Sequence, residues 1–327
     1  MTWAVFVAFI AAAIKYATVF IFGSTGEAIT EKSGHLNMGI PGIMYFGALG
    51  GILGEKIYID AVPASQLNGF MVLFMPIIFA ALFGAVGGLI FSFFTVTLKC
   101  NHNVTGLTMT TLLTGFSCFF IGTIKNTKFI KPGLMIQSLF VPQKFDWGGN
   151  WFGQMFFSQS LFTYLAIIIA IVAAIVISRT RIGLNLRACG ENPAAADAAG
   201  INVNRYRYLA TIIGAAIAGL GGMAYELDVL KGLFNANDSV DALGWLCLSI
   251  VIFSIWKPSI CVGASILFGL LICLPSYLSI SSPVLKEFMK IVPYIATVVV
   301  LIITSVLNRK NAQPPASLGI TYFREDR

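Results

Sequence analysis

Side chains that can ionise, bind or react are concentrated in two polar stretches of this chain. The first, residues 23–42, is rich in glycine and contains Glu27, Glu31, Lys32, His35 and Asn37. The second, residues 179–207, contains Arg179, Arg181, Arg187, Arg205 and Arg207 with Glu191 and Asp197. Ionisable groups at membrane depth suit the passage of a polar solute. A charged loop outside the membrane suits a surface that a partner protein can grip.

Residue patterns that carry catalysis do not occur. There is no G-x-x-x-x-G-K-[ST] for nucleotide phosphates, no H-E-x-x-H and no G-x-S-x-G, and histidine occurs only twice. The six cysteines form no C-x-x-C, and most lie in apolar runs, where cysteine packs as a small hydrophobe. We therefore expect no catalytic residue, no metal site and no cofactor, and interpret the chain as a non-enzymatic subunit.

The second polar stretch carries the signals of two short helices joined by an elbow. Gly190, Glu191 and Asn192 interrupt one helical run, and the Asn192 side chain can accept a backbone N–H at the start of the next. Pro193 suits the first helical position, because its missing N–H costs nothing there. Alanines, which favour helix, follow, and Gly200 can adopt the left-handed backbone conformation that commonly ends a helix. The pattern predicts a capped elbow outside the bilayer; the alternative is an ordinary loop between spans.

The composition indicates the environment in which these stretches lie. The chain has 327 residues, of which 57% are hydrophobic and 11% charged, and its mean hydropathy is +0.85. Soluble domains carry about 25% charged residues. We therefore predict an all-α polytopic membrane protein. The net charge of +7 fits basic loops held at the cytoplasmic side better than nucleic-acid binding.

Apolar runs of about 20 residues are long enough to cross a bilayer as helices. Runs of this kind, some of them shorter, cover residues 3–22, 40–53, 69–98, 104–124, 161–177, 208–227, 243–256, 260–274 and 288–307. We predict about nine transmembrane helices, within a range of roughly eight to ten. They form a domain over residues 1–308, followed by a cytoplasmic tail over 309–327. The short runs at 243–256 and 260–274 are interpreted as half-helices that meet at Lys257 and Pro258.

Two features near the start of the chain point to the solute path. Lys15 lies inside the first run, where an ionisable residue is either functional or paired with a carboxylate. Residues 23–42 lead into a short apolar run, as in a discontinuous helix that is buried or lines a cavity. The candidates for the path are Lys15, Glu27, Asn37 and Trp245. A loop-stabilising role for Glu27 and Lys32 is the alternative.

Glycine and aromatic residues give further signals of packing. Glycines four positions apart predict close helix contacts, at Gly47 and Gly51, Gly50 and Gly54, and Gly84 and Gly88. Residues 125–159 are polar and aromatic and include Trp147 and Trp151, as is typical of a membrane interface.

The arginines predict the orientation in the membrane. If the N-terminus is outside, the loop at 179–207 and the tail lie inside, together with all eight arginines. Lys125, Lys128, Lys131 and Lys144 would then lie outside, in a longer segment where basic residues weigh less.

Four blocks, in order along nearly the whole chain, resemble the permease subunits of bacterial ABC importers for nucleosides and simple sugars. These importers are relatives of the ribose and branched-chain amino acid permeases. The blocks are Gly26-Glu27 with Glu31-Lys32-Ser33-Gly34 and Asn37-Met38-Gly39; Gly183 with residues 187–196 and 199–201; Ile252-Phe253 with Trp256-Lys257-Pro258; and residues 315–319 with 322–325. The second block is specific to the superfamily, and the last two point to the nucleoside-type branch.

The resemblance implies that residues 187–201 are the coupling element that docks on an ATP-binding subunit. The coupling residues are then Arg187, Gly190, Glu191, Asn192, Pro193, Ala194, Ala195, Ala196 and Gly200. It also implies a second, different permease subunit, a substrate-binding lipoprotein and a bacterial cell membrane. Transport would proceed by alternating access with ATP hydrolysed on the partner. Nucleosides are the favoured cargo, and simple sugars such as ribose or galactose are the next choice.

Two positions depart from the family pattern, and two other classes of protein compete with it. Pro41 stands where an acid is usual, and His35 where an aliphatic residue is usual. An ion-coupled secondary transporter would suit Lys15 and the glycine-rich stretch, but it predicts an inverted repeat that is not visible in the sequence. A channel or scaffold explains the spans but not the elbow.

Overall fold

The computed structural model describes residues 3–63, 65–124, 128–138, 151–235, 240–278, 282–307 and 313–323, and within them the regular structure is entirely helical. The helices are α1 Trp3–Lys32, α2 Ile40–Ala61, α3 Gly69–Ser92, α4 His102–Thr123, α5 Ile130–Ser138, α6 Leu161–Arg179, α7 Arg181–Glu191, α8 Pro193–Ala198, α9 Val203–Ala224, α10 Val240–Phe253, α11 Pro258–Tyr277, α12 Pro283–Met289 and α13 Val292–Leu307. π-helical turns Phe93–Thr97 and Tyr225–Val229 extend α3 and α9. Part of the predicted interfacial segment, with Lys125, Lys144 and Trp147, lies outside the described residues.

The long apolar helices make this an integral membrane protein of the all-α class. Among the described residues, six helices are long and apolar enough to cross a bilayer: Trp3–Lys32, Gly69–Thr97, His102–Thr123, Leu161–Arg179, Val203–Val229 and Pro258–Tyr277. Each of the nine predicted runs contains a helix, but α2, α10 and α13 are not among the helices that are long and apolar enough to cross a bilayer. The count of nine therefore stays a prediction.

A break in the helix within residues 23–42, as predicted, is present, but it is confined to residues 33–39. α1 continues unbroken to Lys32, and α2 has 22 residues rather than a short run. Two hydroxyls in this part of α1 bond to the preceding turn, since Ser24 Oγ donates to Phe20 O at 2.6 Å and Thr30 Oγ1 to Gly26 O at 3.2 Å. The non-helical part is only the connection at residues 33–39, most of which is buried.

The interpretation of residues 243–274 as two half-helices is wrong for the second helix, whereas the first, α10, has only 14 residues. Pro258 begins a 20-residue helix, α11, which runs back along α1. Near its start Cys261 packs with Ala28, and further on Gly269 approaches Ala13, where an added β-carbon would lie 2.3 Å from the Ala13 carbonyl oxygen. α1 and α11 therefore pack side by side in antiparallel directions. The final apolar run is also divided, because α12 and α13 are separate helices on either side of residues 290–291, just before Pro293.

Close backbone contacts hold the central helices together, and they confirm the packing predicted from the glycine spacing. A β-carbon on Gly47 of α2 would lie 2.2 Å from Cα of Gly219 in α9, and one on Gly84 of α3 would lie 2.4 Å from the Ala215 carbonyl oxygen. Helix association gains little from the hydrophobic effect in a bilayer, because lipid tails are as apolar as leucine. Close packing between small residues is therefore a main source of stability here.

The two ends of the bundle are chemically distinct. At one end, the 33–39 connection, the α10–α11 turn, the elbow of α7 and α8, and residues 313–323 meet. At the other end Lys128 Nζ lies 2.8 Å from Asp60 Oδ1 and the rings of Trp3 and Trp151 are in contact. We call the first of these the elbow end.

Candidate functional site

The predicted capped elbow is present, and local hydrogen bonds explain why the sequence folds this way. α7 begins after Thr180, whose Oγ1 accepts the Gly183 N–H at 3.1 Å, and ends at Glu191. Asn192 Oδ1 then accepts the Ala195 N–H at 3.0 Å, and Pro193 occupies the first position of α8. The start cap and the proline are thus confirmed where the sequence predicted them.

The stop signal of α8 is confirmed as well. Gly200 adopts φ +84°, a left-handed conformation in which other residues are strained, and an added β-carbon there would meet open space. The Ile201 N–H donates to the Ala196 carbonyl at 3.0 Å, so a carbonyl group at the end of α8 has a hydrogen-bond partner. Asn202 Oδ1 accepts the Arg205 N–H at 3.0 Å and so caps α9. The elbow therefore has a fixed direction at each change of helix.

The predicted coupling residues do not all face the same way. The exposed ones are Glu191, Asn192, Ala195 and Gly200, and the partly buried ones are Arg187, Pro193 and Ala194. Ala196 faces inward and packs with Cys189 and Val203. A β-carbon on Gly190 would lie 2.3 Å from the Lys32 carbonyl oxygen, so this glycine lets α7 rest against the end of α1. A partner can touch the first group directly, whereas Gly190 and Ala196 support the elbow from within.

Glu27 and Asn37 of the predicted path lie together at the elbow end of α1. Both side chains are buried, and the Asn37 N–H donates to Glu27 Oε1 at 3.2 Å. Glu27 Oε2 and Asn37 Nδ2 make no hydrogen bond of good geometry, although the side chains of Glu27, Glu31 and Asn37 lie within reach of one another. An acceptor and a donor that are both buried and unpaired are costly. They can be satisfied by a polar solute or by a rearrangement of the 33–39 connection.

Glu31 joins this polar group and was not predicted as a site residue. It is buried one turn after Glu27, and it accepts a hydrogen bond from the indole N–H of Trp256. A carboxylate four positions from another on the same helix was visible in the sequence. Its tryptophan partner was not, because the two residues are 225 positions apart.

Lys15 and Trp245 lie away from the Glu27 and Asn37 group. Lys15 Nζ lies 3.9 Å from Asp228 Oδ1, and Ser160 Oγ donates to Oδ2 of the same carboxylate. The structure thus contains the carboxylate contact that was the alternative to a path role for Lys15. Trp245 lies on α10 with its side chain 36% exposed. The four candidates for the path do not form one cluster.

The two departures from the family pattern have structural explanations at the elbow end. Pro41 lies in the first turn of α2, where proline fits, and Gly244 of α10 packs closely on its Cα. His35 lies between two hydroxyls, Nδ1 at 2.6 Å from Thr211 Oγ1 and Nε2 at 2.7 Å from Thr95 Oγ1. Burial, together with His102 and Arg207, lowers the pKa of His35 well below its ordinary value. The ring is therefore neutral at neutral pH and tied to α3 and α9.

Buried carboxylates are more numerous than sequence reasoning indicated. Besides Glu27 and Glu31, the side chains of Glu55, Glu226 and Asp228 are buried in the bundle. Each of these acids lies inside or beside an apolar run of the sequence, and that position could have indicated that it is buried. Among the described residues, no group of three or more His, Cys, Asp or Glu side chains is arranged to hold a metal ion.

Long apolar helices, a polar interior and a structured elbow at one end define an all-helical integral membrane protein of the transport type. The chain belongs to the family described as the branched-chain amino acid transport system, permease component, which matches residues 9–301.

Individual relatives are named as ABC transporter permeases. The chain is 31% identical over 314 residues, 94% of each chain, to the nucleoside ABC transporter permease protein NupC of Lactococcus lactis. It is 28% identical to the guanosine ABC transporter permease protein NupQ of Bacillus subtilis, covering 97% of this chain and 96% of that one. A putative glucose ABC transporter permease of Haloferax volcanii is 31% identical, over 80% of this chain and 74% of that one. No solved structure matches.

Proposed function

We propose that this chain is the transmembrane permease subunit of an ATP-driven importer of nucleosides, and that ATP is hydrolysed on a partner subunit. The observation that carries the proposal is the capped elbow at one end of the bundle, in a chain of this permease family. A helix whose start, stop and direction are all fixed suits transmission of movement better than a mobile loop does.

The elbow would work as the coupling element. Exposed Ala195 on α8 allows another protein to approach closely, and exposed Glu191 beside it supplies charge at the rim of the contact. When the ATPase closes, α7 and α8 would move with it, and the packed helices behind them would change between two arrangements. The glycine contacts between α2, α3 and α9 are the surfaces on which such a change would occur.

Nucleosides are the favoured cargo because two of the relatives carry nucleoside or guanosine transport in their names. Simple sugars are the second candidate, since a relative of similar identity is named as a putative glucose permease. Glu27 and Asn37 would form part of the path or of its gate, and Lys15 and Trp245 are further candidates. A nucleobase offers donors and acceptors that could pair with the unpartnered atoms of Glu27 and Asn37.

The complete transporter would contain further subunits in a bacterial cell membrane. We propose an ATP-binding subunit at the elbow, a second and different permease that completes the pore, and a lipoprotein that delivers the cargo from outside. The loop at 179–207 and the tail would face the cytoplasm.

Uptake by vesicles that carry the complete complex tests the cargo and the energy source. Labelled nucleosides should accumulate only with ATP inside, and excess unlabelled ribose or galactose should not compete. ATP-dependent uptake of labelled ribose or galactose, without uptake of labelled nucleoside, would favour the second candidate. Accumulation driven by an ion gradient without ATP would contradict the importer.

A single elbow variant tests the coupling role. Ala195→Glu places a charge on the exposed face of α8, so ATP-driven uptake should fall at least about ten-fold, which corresponds to roughly 1.4 kcal/mol of lost coupling. Ala195→Ser is the matched control, because it keeps a small side chain. Since α8 lies outside the bundle, the melting temperature of the permease should not change. Uptake at the wild-type rate in Ala195→Glu would show that the elbow is only a connector.

A further inference from the structure

The segment after α13, residues 313–323, packs across the elbow, and we call it the tail strap. Ser317 lies at its centre and is buried. Its N–H donates to the Gly190 carbonyl at 2.9 Å, and its Oγ donates to the same oxygen at 2.6 Å. One residue of the strap therefore satisfies the last turn of α7, where helix carbonyls lack partners inside the helix.

The tail strap also binds the connection between α1 and α2. The Gly319 N–H donates to the Gly34 carbonyl at 3.1 Å, and both glycines have positive φ, +76° and +82°. A β-carbon on Gly34 would lie 2.6 Å from Ser317 Oγ and 3.2 Å from Cα of Gly190. The 33–39 connection, the end of α7 and the strap thus meet at one point, where only glycine fits.

Further along the strap, contacts reach α8 and α9. Tyr322 Oη donates to Asp197 Oδ2 of α8 at 2.9 Å. Arg207 of α9, which is buried, donates from Nη1 to the Ile320 carbonyl at 3.1 Å. Beside Tyr322 lies a hollow of about 300 Å³, which is also lined by Lys99, Asp197 and residues 200–204. The strap therefore forms part of the surface around the elbow.

These contacts matter because α8 has only six residues. Helices of this length are not stable alone, so tertiary contacts fix their position. The strap supplies such a contact to α8 through Tyr322, and it binds the Gly34 carbonyl through the Gly319 N–H. From Gly34 the chain continues to Asn37, whose N–H binds buried Glu27 at 3.2 Å. A continuous series of contacts therefore leads from Asp197 on the elbow to the polar interior.

We propose that Ser317 and Tyr322 are positioning residues for coupling: through them the tail strap makes the elbow and the 33–39 connection move as one unit. Displacement of the elbow is thereby delivered to Glu27 and Asn37. This inference rests on the proposed role of the elbow. The role that it gives to the strap is to link two parts of this chain, and it does not require the strap to touch the partner subunit.

Two variants remove single hydroxyls without altering the backbone contacts. Tyr322→Phe removes the bond to Asp197. Ser317→Ala removes the contacts of its hydroxyl with the carbonyl oxygens of Gly190 and, at 3.3 Å, Cys189. Each single variant should reduce the nucleoside transported per ATP hydrolysed by about five-fold, the change that one hydrogen bond of ordinary strength produces in an equilibrium, and the double variant should reduce it further. ATP hydrolysis, co-purification of the ATPase and the KM for nucleoside should stay at wild-type values, and the melting temperature should fall only slightly, because the backbone contacts of the strap remain. Thr321→Ala is the matched control, since it removes a hydroxyl from the same strap and should transport normally.

The readouts separate failure of this inference from failure of the proposed function. Normal coupling in the double variant, together with loss of uptake in Ala195→Glu, would overturn the role of the strap and leave the elbow intact. Parallel loss of hydrolysis, uptake and melting temperature in the double variant would show a merely structural role, which also overturns it. An equal defect in Thr321→Ala would do the same. Normal uptake in Ala195→Glu would remove the coupling role of the elbow, and this inference with it.

Discussion

Trp256 donates its indole N–H to Oε2 of Glu31 and so joins the turn between α10 and α11 to the end of α1. The turn is held in an unfavourable conformation, because Ile255 and Trp256 have φ values of +54° and +53°, which residues other than glycine rarely adopt. Trp256 itself is buried with Ala28, Val251 and Cys261. Packing and the bond to Glu31 together offset the strain of the turn.

Replacement of this tryptophan should therefore destabilise the elbow end. Trp256→Phe keeps an aromatic ring but leaves a buried carboxylate oxygen without its donor, which costs about 1–3 kcal/mol. We expect a lower melting temperature of the purified protein, measured by thermal unfolding in detergent. Trp245→Phe is the control, because Trp245 is 36% exposed and its loss should not affect unfolding. An unchanged melting temperature in Trp256→Phe would show that the bond contributes nothing.

The glycine contacts between helices predict a sharp contrast between two Gly→Ala changes. A β-carbon on Gly222 would lie 1.8 Å from the Met44 carbonyl oxygen, whereas one on Gly263 would meet nothing within 4 Å. Because the neighbour of Gly222 is backbone, α2 and α9 must separate, at a cost of about 1–3 kcal/mol. Gly222→Ala should lower the melting temperature, and Gly263→Ala should maintain or raise it, since alanine favours a helix. Equal behaviour of the two variants would contradict this account of the packing.

Asn37 provides a test of the proposed path. Asn37→Ala removes the bond from the Gly39 N–H to Oδ1 at 3.0 Å and the unpaired Nδ2. Uptake assays with several nucleosides should show an altered rate or an altered preference, while the complex still assembles. Asn103→Ala, a change at an exposed asparagine at the start of α4, serves as the control. Unchanged uptake of every cargo would remove Asn37 from the path.

The predicted orientation can be tested by labelling single cysteines in a cysteine-free background. Asn202→Cys is exposed at the elbow end and should react with an impermeant maleimide only after the membrane is opened. Ser65→Cys is exposed at the opposite end and should react in intact cells. The reverse pattern would invert the topology.

Cys189, kept as the single cysteine of an otherwise cysteine-free protein, gives a control for the same experiment. It is buried, and burial raises its thiol pKa to about 11. Little thiolate is present at neutral pH, so Cys189 should stay unlabelled even in opened membranes. Rapid labelling would show that the elbow opens away from the bundle.

The elbow could be predicted from the sequence because its signals are local. Asn192, Pro193 and Gly200 each act on backbone groups within four residues, and each occupies the position that its chemistry predicts. Long apolar helices were predictable for a similar reason, since α6 follows directly from composition. That the loop and the tail lie at the same end of the bundle is confirmed by the bond between Ser317 and Gly190.

Contacts between distant parts of the chain explain what the sequence did not predict. The polar residues of α1 stay helical because Gly26 packs on the Gly214 backbone and Glu27 finds Asn37. Nothing near Gly26 in the sequence indicates these partners. The tail was predicted as a cytoplasmic segment, but its contacts were not, because the Gly190 and Gly34 carbonyls that its N–H groups bind lie more than a hundred residues away.

The late position of the tail strap in the chain also determines the order of biogenesis. Ribosomes add roughly 5–20 residues per second, so the elbow is synthesised on the order of 10 s before Ser317 and Tyr322 emerge. During that interval Gly190 and Gly34 lack the strap, and α8 lacks its contact with Tyr322. A subunit that recognises the finished elbow would therefore select chains whose synthesis has reached the strap over shorter nascent ones.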